Sequence, residues 1–358
     1  MAATDVDARF MRACLRYARR HEGLTGTNPS VGTLIVRDGV VVGRGATARG
    51  GRPHAEPIAL GEAGDAARGA TAYVTLEPCA HHGVTPPCAE ALIAGGVTRV
   101  VTAYVDPDGR VDGRGHAMLR EAGIAVEDGV EGAAAARDLA GYLMRKVQGR
   151  PHVTLKLALS VDGRLGKEGE EVAVTGPDAK RQVHAMRARV DAILVGAGTV
   201  AADDPDLTCR LPGLEARSPH RYVLKTDGAL DPATRLARTA RDVPVTIVSA
   251  EPPSPEVLAM GVRHMSAERH GRGVALPEML EDMGALGHAA LMVEGGGKVA
   301  RGFLEADLVD RMVLFVSPRT LGGGMAAPIT PDAMPHGFAL ADEREFGEDR
   351  ALVYERRR

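Results

Sequence analysis

Four side chains have the types and spacing of a catalytic zinc site: His54, Glu56, Cys79 and Cys88. A catalytic zinc ion is held by three protein ligands and keeps a further position open for water. One imidazole and two thiolates would supply those ligands, and the ion would lower the pKa of the water toward about 7. Glu56 follows His54 by two residues, so we expect its carboxylate to carry protons between that water and a substrate.

The pattern His54-Ala55-Glu56 followed by Pro78-Cys79 is typical of zinc-dependent hydrolytic deaminases. Eight residues, 80–87, separate Cys79 from Cys88, whereas the common spacing has two. On spacing alone, His81 or His82 could replace Cys88 as a ligand, or Cys88 could be a core cysteine. A purely structural zinc ion is a further alternative, which Glu56 beside an incomplete ligand set disfavours.

Two glycine-rich segments in the second half could contact phosphate groups. Residues 196–201 match the dinucleotide pattern G-x-G-x-x-A, although an ordinary turn between a strand and a helix explains them equally well. Residues 294–298, Glu-Gly-Gly-Gly-Lys, join a predicted strand to a predicted helix and could cradle a phosphate with backbone N–H groups. Together the two loops suit a dinucleotide held from both sides.

Alternating strands and helices predict an α/β architecture in both halves. The first half should begin with a capped helix over Thr4–Arg19, continue with a hairpin, and place a helix start near His54. The pattern breaks at Gly149-Arg150-Pro151 and restarts with a strand over Val153–Leu159. We therefore expect two domains, residues 1–148 and residues 152–358.

Composition limits the classes of function. Of 358 residues, 44% are hydrophobic and 25% charged, as in globular domains with real cores. The net charge of -3 lacks the basic excess of a nucleic-acid binder, so we expect a small-molecule substrate. We expect no signal peptide and no membrane span. Four cysteines are too few for a disulfide framework, which favours a cytoplasmic protein.

The chain closely resembles the family of bifunctional riboflavin-biosynthesis deaminase–reductases. The motifs that carry this resemblance are residues 27–32, 53–56, 75–83, 85–88, 156–164, 202–208 and 293–296. The resemblance implies a cytidine-deaminase-like three-layer α/β/α domain followed by a dihydrofolate-reductase-like α/β domain. It also implies zinc-dependent deamination of a phosphoribosylated aminopyrimidine, then NADPH-dependent reduction of its ribosyl unit to ribityl. A homodimer through the C-terminal domain is a further expectation.

The same resemblance assigns roles to individual residues. Those expected to contact the substrates are Asn28, His81, Glu171, Arg187, Leu207, Arg210 and Glu294. Those expected along the NADPH are Ala158, Ala173, Thr199, Asp203, Thr226, Gly296, Gly297 and Lys298. Lys156, in an otherwise apolar strand, is a candidate for polarising the sugar during reduction, although an ordinary edge-strand lysine is a rival explanation.

Four positions depart from the family's usual residues. Val84 stands where relatives often carry a basic residue, so the contact to the substrate phosphate could be weaker or come from elsewhere. Asp108-Gly109 replaces a frequent Asn-Pro, Lys225 replaces a common acidic residue, and Ala173 replaces an occasional aromatic.

Two other functions compete with this interpretation. A nucleoside or transfer-RNA deaminase with a non-catalytic C-terminal binding domain would have the short cysteine spacing and a basic surface, and both are absent. Alternatively, one half could be a degenerate domain kept for binding or oligomerisation. The complete set of His54, Glu56, Cys79 and Cys88 argues against this for the first half, but it stays open for the second.

Overall fold

The computed structural model describes residues 4–167, 172–271 and 273–357. The chain forms two compact units, Met1–Gly149 and Arg150–Arg358. Each has its own apolar core, built mainly from Val, Leu, Ile, Ala and Met side chains.

The first unit alternates helices with short strands. Its helices are α1 (Asp5–Ala18), α2 (Ala55–Ala63), α3 (Cys88–Ala94), α4 (Arg114–Glu121), α5 (Gly132–Asp138) and α6 (Ala140–Gln148). Its strands are β1 (Gly32–Arg37), β2 (Val40–Ala46), β3 (Thr71–Val74), β4 (Arg99–Thr102) and β5 (Ala125–Glu127). The first helix has the predicted cap, since the Thr4 side chain accepts from the Asp7 N–H and the Asp7 carboxylate accepts from the Thr4 N–H.

In the described part of this unit the strands form one sheet in the order β2-β1-β3-β4-β5. The β1–β2 and β1–β3 pairs are antiparallel, and the β3–β4 and β4–β5 pairs are parallel. Opposite faces of the sheet carry different helices. A Cβ at Gly32 would lie 2.5 Å from the carbonyl oxygen of Cys14 on α1, and one at Gly45 would lie 2.0 Å from that of Ala55 on α2. These glycines therefore allow helices to pack closely on both faces, and Gly45 seats the first turn of α2 beside the site described below.

The second unit is larger and contains more strands. Its helices are α7 (Pro177–Arg187), α8 (Ala197–Asp203), α9 (Arg235–Arg238), α10 (Pro255–Ala259), α11 (Leu276–Ala285) and α12 (Gly297–Glu305). Its strands are β6 (His152–Ser160), β7 (Arg164–Gly166), β8 (Ala192–Gly196), β9 (His220–Leu224), β10 (Val245–Ser249), β11 (Arg263–Ser266), β12 (Arg269–His270), β13 (Gly273–Val274), β14 (Ala290–Val293), β15 (Arg311–Ser317), β16 (Met325–Ala326), β17 (Phe338–Phe346) and β18 (Asp349–Arg356).

The main sheet of the second unit has the order β11-β10-β9-β8-β14-β6-β15-β18-β17 within the described residues. Strands β11 to β15 in this order are all parallel, and β18 and β17 complete the sheet as an antiparallel hairpin. The three central strands β8, β14 and β6 are mostly buried, as expected of parallel strands covered on both faces. The α/β architecture predicted for both halves is confirmed.

Within residues 4–167, 172–271 and 273–357, no helix has the length and apolar character needed to cross a membrane.

Candidate functional sites

Three predicted zinc ligands meet in the first unit. His54 lies at the N-cap of α2, Cys79 follows β3 after a short turn, and Cys88 is the first residue of α3. The Nδ1 atom of His54 lies 3.3 Å from the Sγ of Cys88 and 3.8 Å from the Sγ of Cys79. All three donor atoms lie within 4.8 Å of one another. Residues 80–87 therefore form a loop whose two ends, at Cys79 and Cys88, lie close together.

This donor set fits a tetrahedral zinc ion. Zinc–nitrogen and zinc–sulfur bonds of about 2.0 and 2.3 Å would separate ligand nitrogen and sulfur atoms by roughly 3.6 Å. The two observed nitrogen–sulfur distances, 3.3 and 3.8 Å, lie on either side of that value. Of the alternative ligands, His82 is exposed and pairs with Glu90 at 3.5 Å, and among the described residues the candidate metal cluster contains neither His81 nor His82.

The surroundings of the two cysteines shift the pKa values of their thiols. A hydrogen bond from Cys88 is the main cause that lowers the pKa of Cys79 to about 4, and His54 and the Cys88 N–H act in the same direction. The backbone N–H of Cys88 donates to the Cys79 sulfur at 3.2 Å. The same pairing, together with burial, raises the pKa of Cys88. Because zinc is bound by thiolates, the lowered pKa of Cys79 favours metal binding, and a bound cation would also favour the thiolate of Cys88.

Glu56 lies on the first turn of α2 and is 3% exposed. Burial, followed by the negative charge of Cys79, raises the pKa of Glu56 to about 7. Its carboxyl group also interacts with the Cys88 side chain. The arrangement thus places next to the metal ligands a carboxyl group that can gain or lose a proton near neutral pH, as a general acid–base catalyst requires.

A second buried glutamate holds the turn that carries Cys79. Glu77 is 3% exposed and accepts hydrogen bonds from four backbone N–H groups, those of Asp106, Gly113, Gly115 and His116, at 2.9 to 3.3 Å. Three of these donors belong to the first turn of α4 and its N-cap. The sequence alone assigned no role to Glu77, which lies within the motif of residues 75–83. Its signal is an acidic residue between a buried strand and Pro78-Cys79, where an unpaired charge would be costly.

The two predicted base-binding residues occupy different surroundings. Asn28 is half-buried and its amide donates to the carbonyl oxygen of Gly51 at 3.1 Å, which places it next to the segment that leads into α2. His81 lies two residues after Cys79, and its buried Nδ1 atom has no hydrogen-bond partner among the described residues. A buried ring nitrogen of this kind is suited to pair with a ligand.

In the second unit, Lys156, Glu294 and Arg187 form a buried charged cluster. The Lys156 Nζ lies 3.7 Å from a Glu294 oxygen, and the Arg187 guanidinium donates to both Glu294 oxygens at 2.8 and 3.0 Å. The three side chains are only 15%, 9% and 11% exposed. Burial acts to raise the pKa of Glu294, but the charges of Lys156 and Arg187 outweigh it and lower the pKa to about 2. Burial is also the main cause that lowers the pKa of Lys156.

This cluster lies where neighbouring parallel strands end. Glu294 directly follows β14, and its N–H donates to the carbonyl oxygen of Leu194 on β8. The Gly296 N–H donates to the Thr199 hydroxyl at 3.1 Å, so the two predicted glycine-rich loops do meet. Ala158 and Lys156 are the two half-buried residues of β6 and lie on the same face of the strand. Ligands of open α/β sheets bind in such a crevice at the carboxyl ends of strands.

The remaining predicted residues of the second unit are more scattered. Lys298 is exposed on α12, and the Ala173 carbonyl oxygen accepts from Arg319 at 3.4 Å. Thr226 and Asp203 each have a hydrogen-bonding or electrostatic partner. Lys225 lies 3.4 Å from Asp227.

Three predicted substrate contacts differ in accessibility. Leu207 is 3% exposed within an apolar cluster, and Arg210 is an exposed residue paired with Asp206 at 3.1 Å. Arg187 was predicted as a substrate contact, yet its Nε and Nη2 atoms both donate hydrogen bonds to the Glu294 carboxylate. Glu171 lies outside the described residues.

The fold and the sites define a class of protein: a zinc-binding deaminase domain joined to an α/β reductase domain. Residues 4–104 match the cytidine and deoxycytidylate deaminase zinc-binding region, and residues 151–352 match the RibD C-terminal domain. The second match favours a bifunctional enzyme over a nucleoside or transfer-RNA deaminase with a non-catalytic C-terminal domain.

Known proteins resemble the chain over nearly its whole length. The riboflavin biosynthesis protein RibD of Escherichia coli is 38% identical over 361 residues, which cover 95% of this chain and 94% of that protein. The RibD structure from Acinetobacter baumannii, form 1, superimposes with a TM-score of 0.86 at 34% identity and covers 99% of both chains. A deaminase/reductase structure from Thermotoga maritima has a TM-score of 0.87 at 29% identity, with 98% of this chain and 99% of that chain covered.

The chain therefore belongs to the RibD family of riboflavin biosynthesis. It is a bifunctional enzyme with a zinc deaminase domain and a reductase domain. The family resemblance, the fold class and the two enzyme activities expected from the sequence are confirmed.

Proposed function

We propose that the two domains catalyse consecutive reactions on one phosphoribosylated pyrimidine. The Thermotoga maritima relative is described as a diaminohydroxyphosphoribosylaminopyrimidine deaminase and 5-amino-6-(5-phosphoribosylamino)uracil reductase. By similarity, the first domain replaces the 2-amino group of 2,5-diamino-6-(5-phosphoribosylamino)pyrimidin-4-one with oxygen and releases ammonia. The second domain then reduces the ribosyl unit to ribityl.

In the deaminase domain, His54, Cys79 and Cys88 hold the zinc ion. When bound by these residues, zinc would supply a water molecule with a lowered pKa. Glu56 carries the two protons of the attacking water in turn, the first to the ring nitrogen and the second to the departing amine, as its buried position beside the metal ligands allows. Asn28 and His81 orient the base. The observation that carries this assignment is the approach of the three donor atoms to within 4.8 Å of one another, with buried Glu56 beside them.

In the reductase domain, Lys156 delivers a proton to the sugar oxygen while Glu294 orients the ammonium group. Arg187 keeps Glu294 ionised and fixed, because it donates to both carboxylate oxygens. The lowered pKa of Lys156, caused mainly by burial, makes its proton easier to transfer. Contacts of the substrate with Glu171, Leu207, Arg210 and Arg187 itself stay predictions.

The crevice of the second domain suits NADPH, which supplies a hydride when bound. Gly296 and Gly297 begin α12, and no side chain among the described residues caps that helix, so its first N–H groups are available to a phosphate. A Cβ at Gly198 would meet no atom within 4 Å, which leaves space beside the first turn of α8. We therefore propose that Thr199, Asp203, Thr226, Ala158, Ala173 and Lys298 lie along this cofactor.

The family resemblance also supports proposals about assembly and location. We propose a homodimer formed through the C-terminal domain, no nucleic-acid partner, and a cytoplasmic location. The near-neutral charge balance and the free state of Cys14, Cys79, Cys88 and Cys209 agree with the last two. Sedimentation analysis of the full chain tests the dimer, and a purely monomeric species would contradict it.

The decisive experiment supplies the zinc-loaded protein with the phosphoribosyl diaminopyrimidinone, first without NADPH and then with it. We expect ammonia release without NADPH and oxidation of NADPH after its addition. Absence of ammonia release would overturn the deaminase assignment. Ammonia release without later oxidation of NADPH would instead limit the function to deamination.

A further inference from the structure

Arg52 crosses from the segment that carries His54 to the loop that joins the two cysteine ligands. The residue is half-buried and lies two positions before His54. Its guanidinium donates a hydrogen bond of 3.1 Å to the hydroxyl of Thr85. A Cβ at Gly83 would lie 3.7 Å from the Nη2 atom of Arg52, so the side chain lies along this part of the loop.

Among the described residues, the positive charge of Arg52 has no carboxylate partner. Across residues 4–167, 172–271 and 273–357, the ion pairs include none to Arg52, whereas the nearby Arg44 pairs with Glu62 at 3.3 Å and His82 of the same loop pairs with Glu90. Residues 80–87 contain no Lys or Arg, and Val84 at the tip of the loop is 84% exposed. Arg52 is therefore a cation that the structure places directly against this loop.

The charge is close enough to act on the metal ligands. The hydrogen bond to Cys79 is the main cause that raises the pKa of His54, and the guanidinium of Arg52 is one of the groups that oppose the rise. The centre of the site holds Glu56 and two cysteines, so an anionic part of a substrate would be repelled there. A cation at the edge of the site, with one N–H used by Thr85 and the others available, is suited to bind that anionic part instead.

We propose that Arg52, together with the Thr85 hydroxyl, binds the phosphate group of the deaminase substrate. The proposal rests on the proposed function, because the phosphoribosyl substrate brings the dianion. A guanidinium can donate two parallel charge-assisted hydrogen bonds to phosphate oxygens, and the Thr85 hydroxyl can add a third. Position 84 at the middle of the loop is a valine in this chain, so the cation reaches the loop from position 52.

The test compares Arg52→Gln with the wild-type chain on two substrates, the phosphoribosyl diaminopyrimidinone and the same compound after removal of its phosphate. For the phosphorylated substrate we expect KM to rise about 10- to 100-fold in the variant with little change in kcat, because the lost contact is charge-assisted binding. For the dephosphorylated compound, KM should change less than about twofold. Arg49→Gln, at an exposed arginine three positions earlier, is the matched control and should behave as wild type with both.

Moving the charge provides the second variant. Val84→Arg in the Arg52→Gln chain should recover most of the lost affinity for the phosphorylated substrate, which a merely structural role of Arg52 would not allow. An equal rise in KM for both substrates, or no rise at all, would overturn the proposal. The wild-type chain provides a test even if the variants fold poorly. Equal values of kcat/KM for the phosphorylated and the dephosphorylated substrate would also overturn the proposal. If the wild-type chain released no ammonia from both substrates, the proposed function itself would be refuted.

Discussion

Two buried glutamates, one in each domain, have opposite charge behaviour. Glu56 is 3% exposed, and the side chain of Glu294 is 9% exposed, so both lose most of their contact with water. Yet the pKa of Glu56 is raised to about 7, by burial first and then by the Cys79 thiolate, whereas the cations Lys156 and Arg187 outweigh burial and lower the pKa of Glu294 to about 2.

The neighbours of each glutamate account for the difference. In the deaminase site the neighbours of Glu56 include the Cys79 thiolate, whose negative charge adds to that of the carboxylate and is not balanced until a metal cation binds. In the reductase site the protein supplies its own cations at 2.8 to 3.7 Å from Glu294. Burial alone therefore does not decide the role of a carboxyl group. A carboxyl among anions becomes a proton carrier, and one between cations becomes a fixed charge that orients its partners.

Replacing Glu56 should have the largest effect. Glu56→Gln keeps the size of the side chain but replaces its titratable carboxyl group with an amide that cannot carry protons. We therefore expect deamination to slow by about 10³-fold or more. Zinc content, measured by atomic absorption, should stay the same, and so should the reduction of the deaminated substrate. Unchanged ammonia release would show that another group carries the proton.

Removing one cation from the cluster of Lys156, Glu294 and Arg187 should mainly lower the stability of the reductase domain. Arg187→Met leaves Glu294 with a single cation, and removal of one partner from a buried ion pair costs about 3–5 kcal/mol. Hydrogen-exchange mass spectrometry of the full chain should show loss of protection in peptides from β6 and β14, with the first domain unaffected. Arg181→Met, a change in the same helix at a side chain that is 65% exposed, is the control and should be nearly neutral. Equal protection in both variants would mean that the Arg187–Glu294 pair does not stabilise the domain.

The two glutamates should make stability depend on pH with opposite signs. The contribution of Glu294, whose pKa is lowered to about 2, is present above its ordinary pKa of 4.5 and is lost as pH falls from 4.5 through 2. The contribution of Glu56, whose pKa is raised to about 7, is present below 4.5 and in metal-free protein is lost as pH rises from 4.5 through 7. Each change amounts to about 3 kcal/mol.

Denaturant unfolding over this pH range, with Glu56→Gln and Glu294→Gln as references, measures both contributions. Relative to its Gln variant, the wild-type deaminase domain should gain stability on acidification from pH 7 to 5. The reductase domain should lose stability on acidification from pH 4 to 2.5. If stability changed with the same sign in the two domains, the conclusion that Glu56 has an anionic neighbour and Glu294 has cationic ones would be wrong.

Removal of zinc should affect one domain and spare the other. Zinc at 100 times its Kd stabilises the domain that binds it by about 2.7 kcal/mol, so chelation should lower the stability of the first domain by that amount. Differential scanning calorimetry with and without a chelator should show a shift in one transition, and re-addition of zinc should reverse it. An equal shift in both transitions would indicate that the domains unfold together or that the metal lies elsewhere.

Much of the secondary structure could be predicted because its causes are local. The capping box of Thr4 and Asp7, the hairpin of β1 and β2, and the apolar parallel strands all have clear sequence signals. The hairpin of β17 and β18 was not predicted. Its outer strand contains Asp342, Glu343, Arg344 and Glu345, and such a charged edge strand has no apolar alternation. It is held by pairing with β18, including the Glu343–Arg350 ion pair at 3.1 Å, which only the folded chain reveals.

By itself, the sequence determined which residue types can do chemistry: His54, Glu56, Cys79 and Cys88 occur in a spacing that selects zinc deamination, and the unusual loop 80–87 indicates the family. Tertiary structure decided which charges face one another. Arg187 and Glu294 are 107 positions apart, and Arg52 and Thr85 are 33 apart, so neither pair leaves a mark in local spacing. Because the free energy of a charged group depends on its partners and its distance from water, the same residue type becomes a proton carrier at position 56 and a fixed anion at position 294.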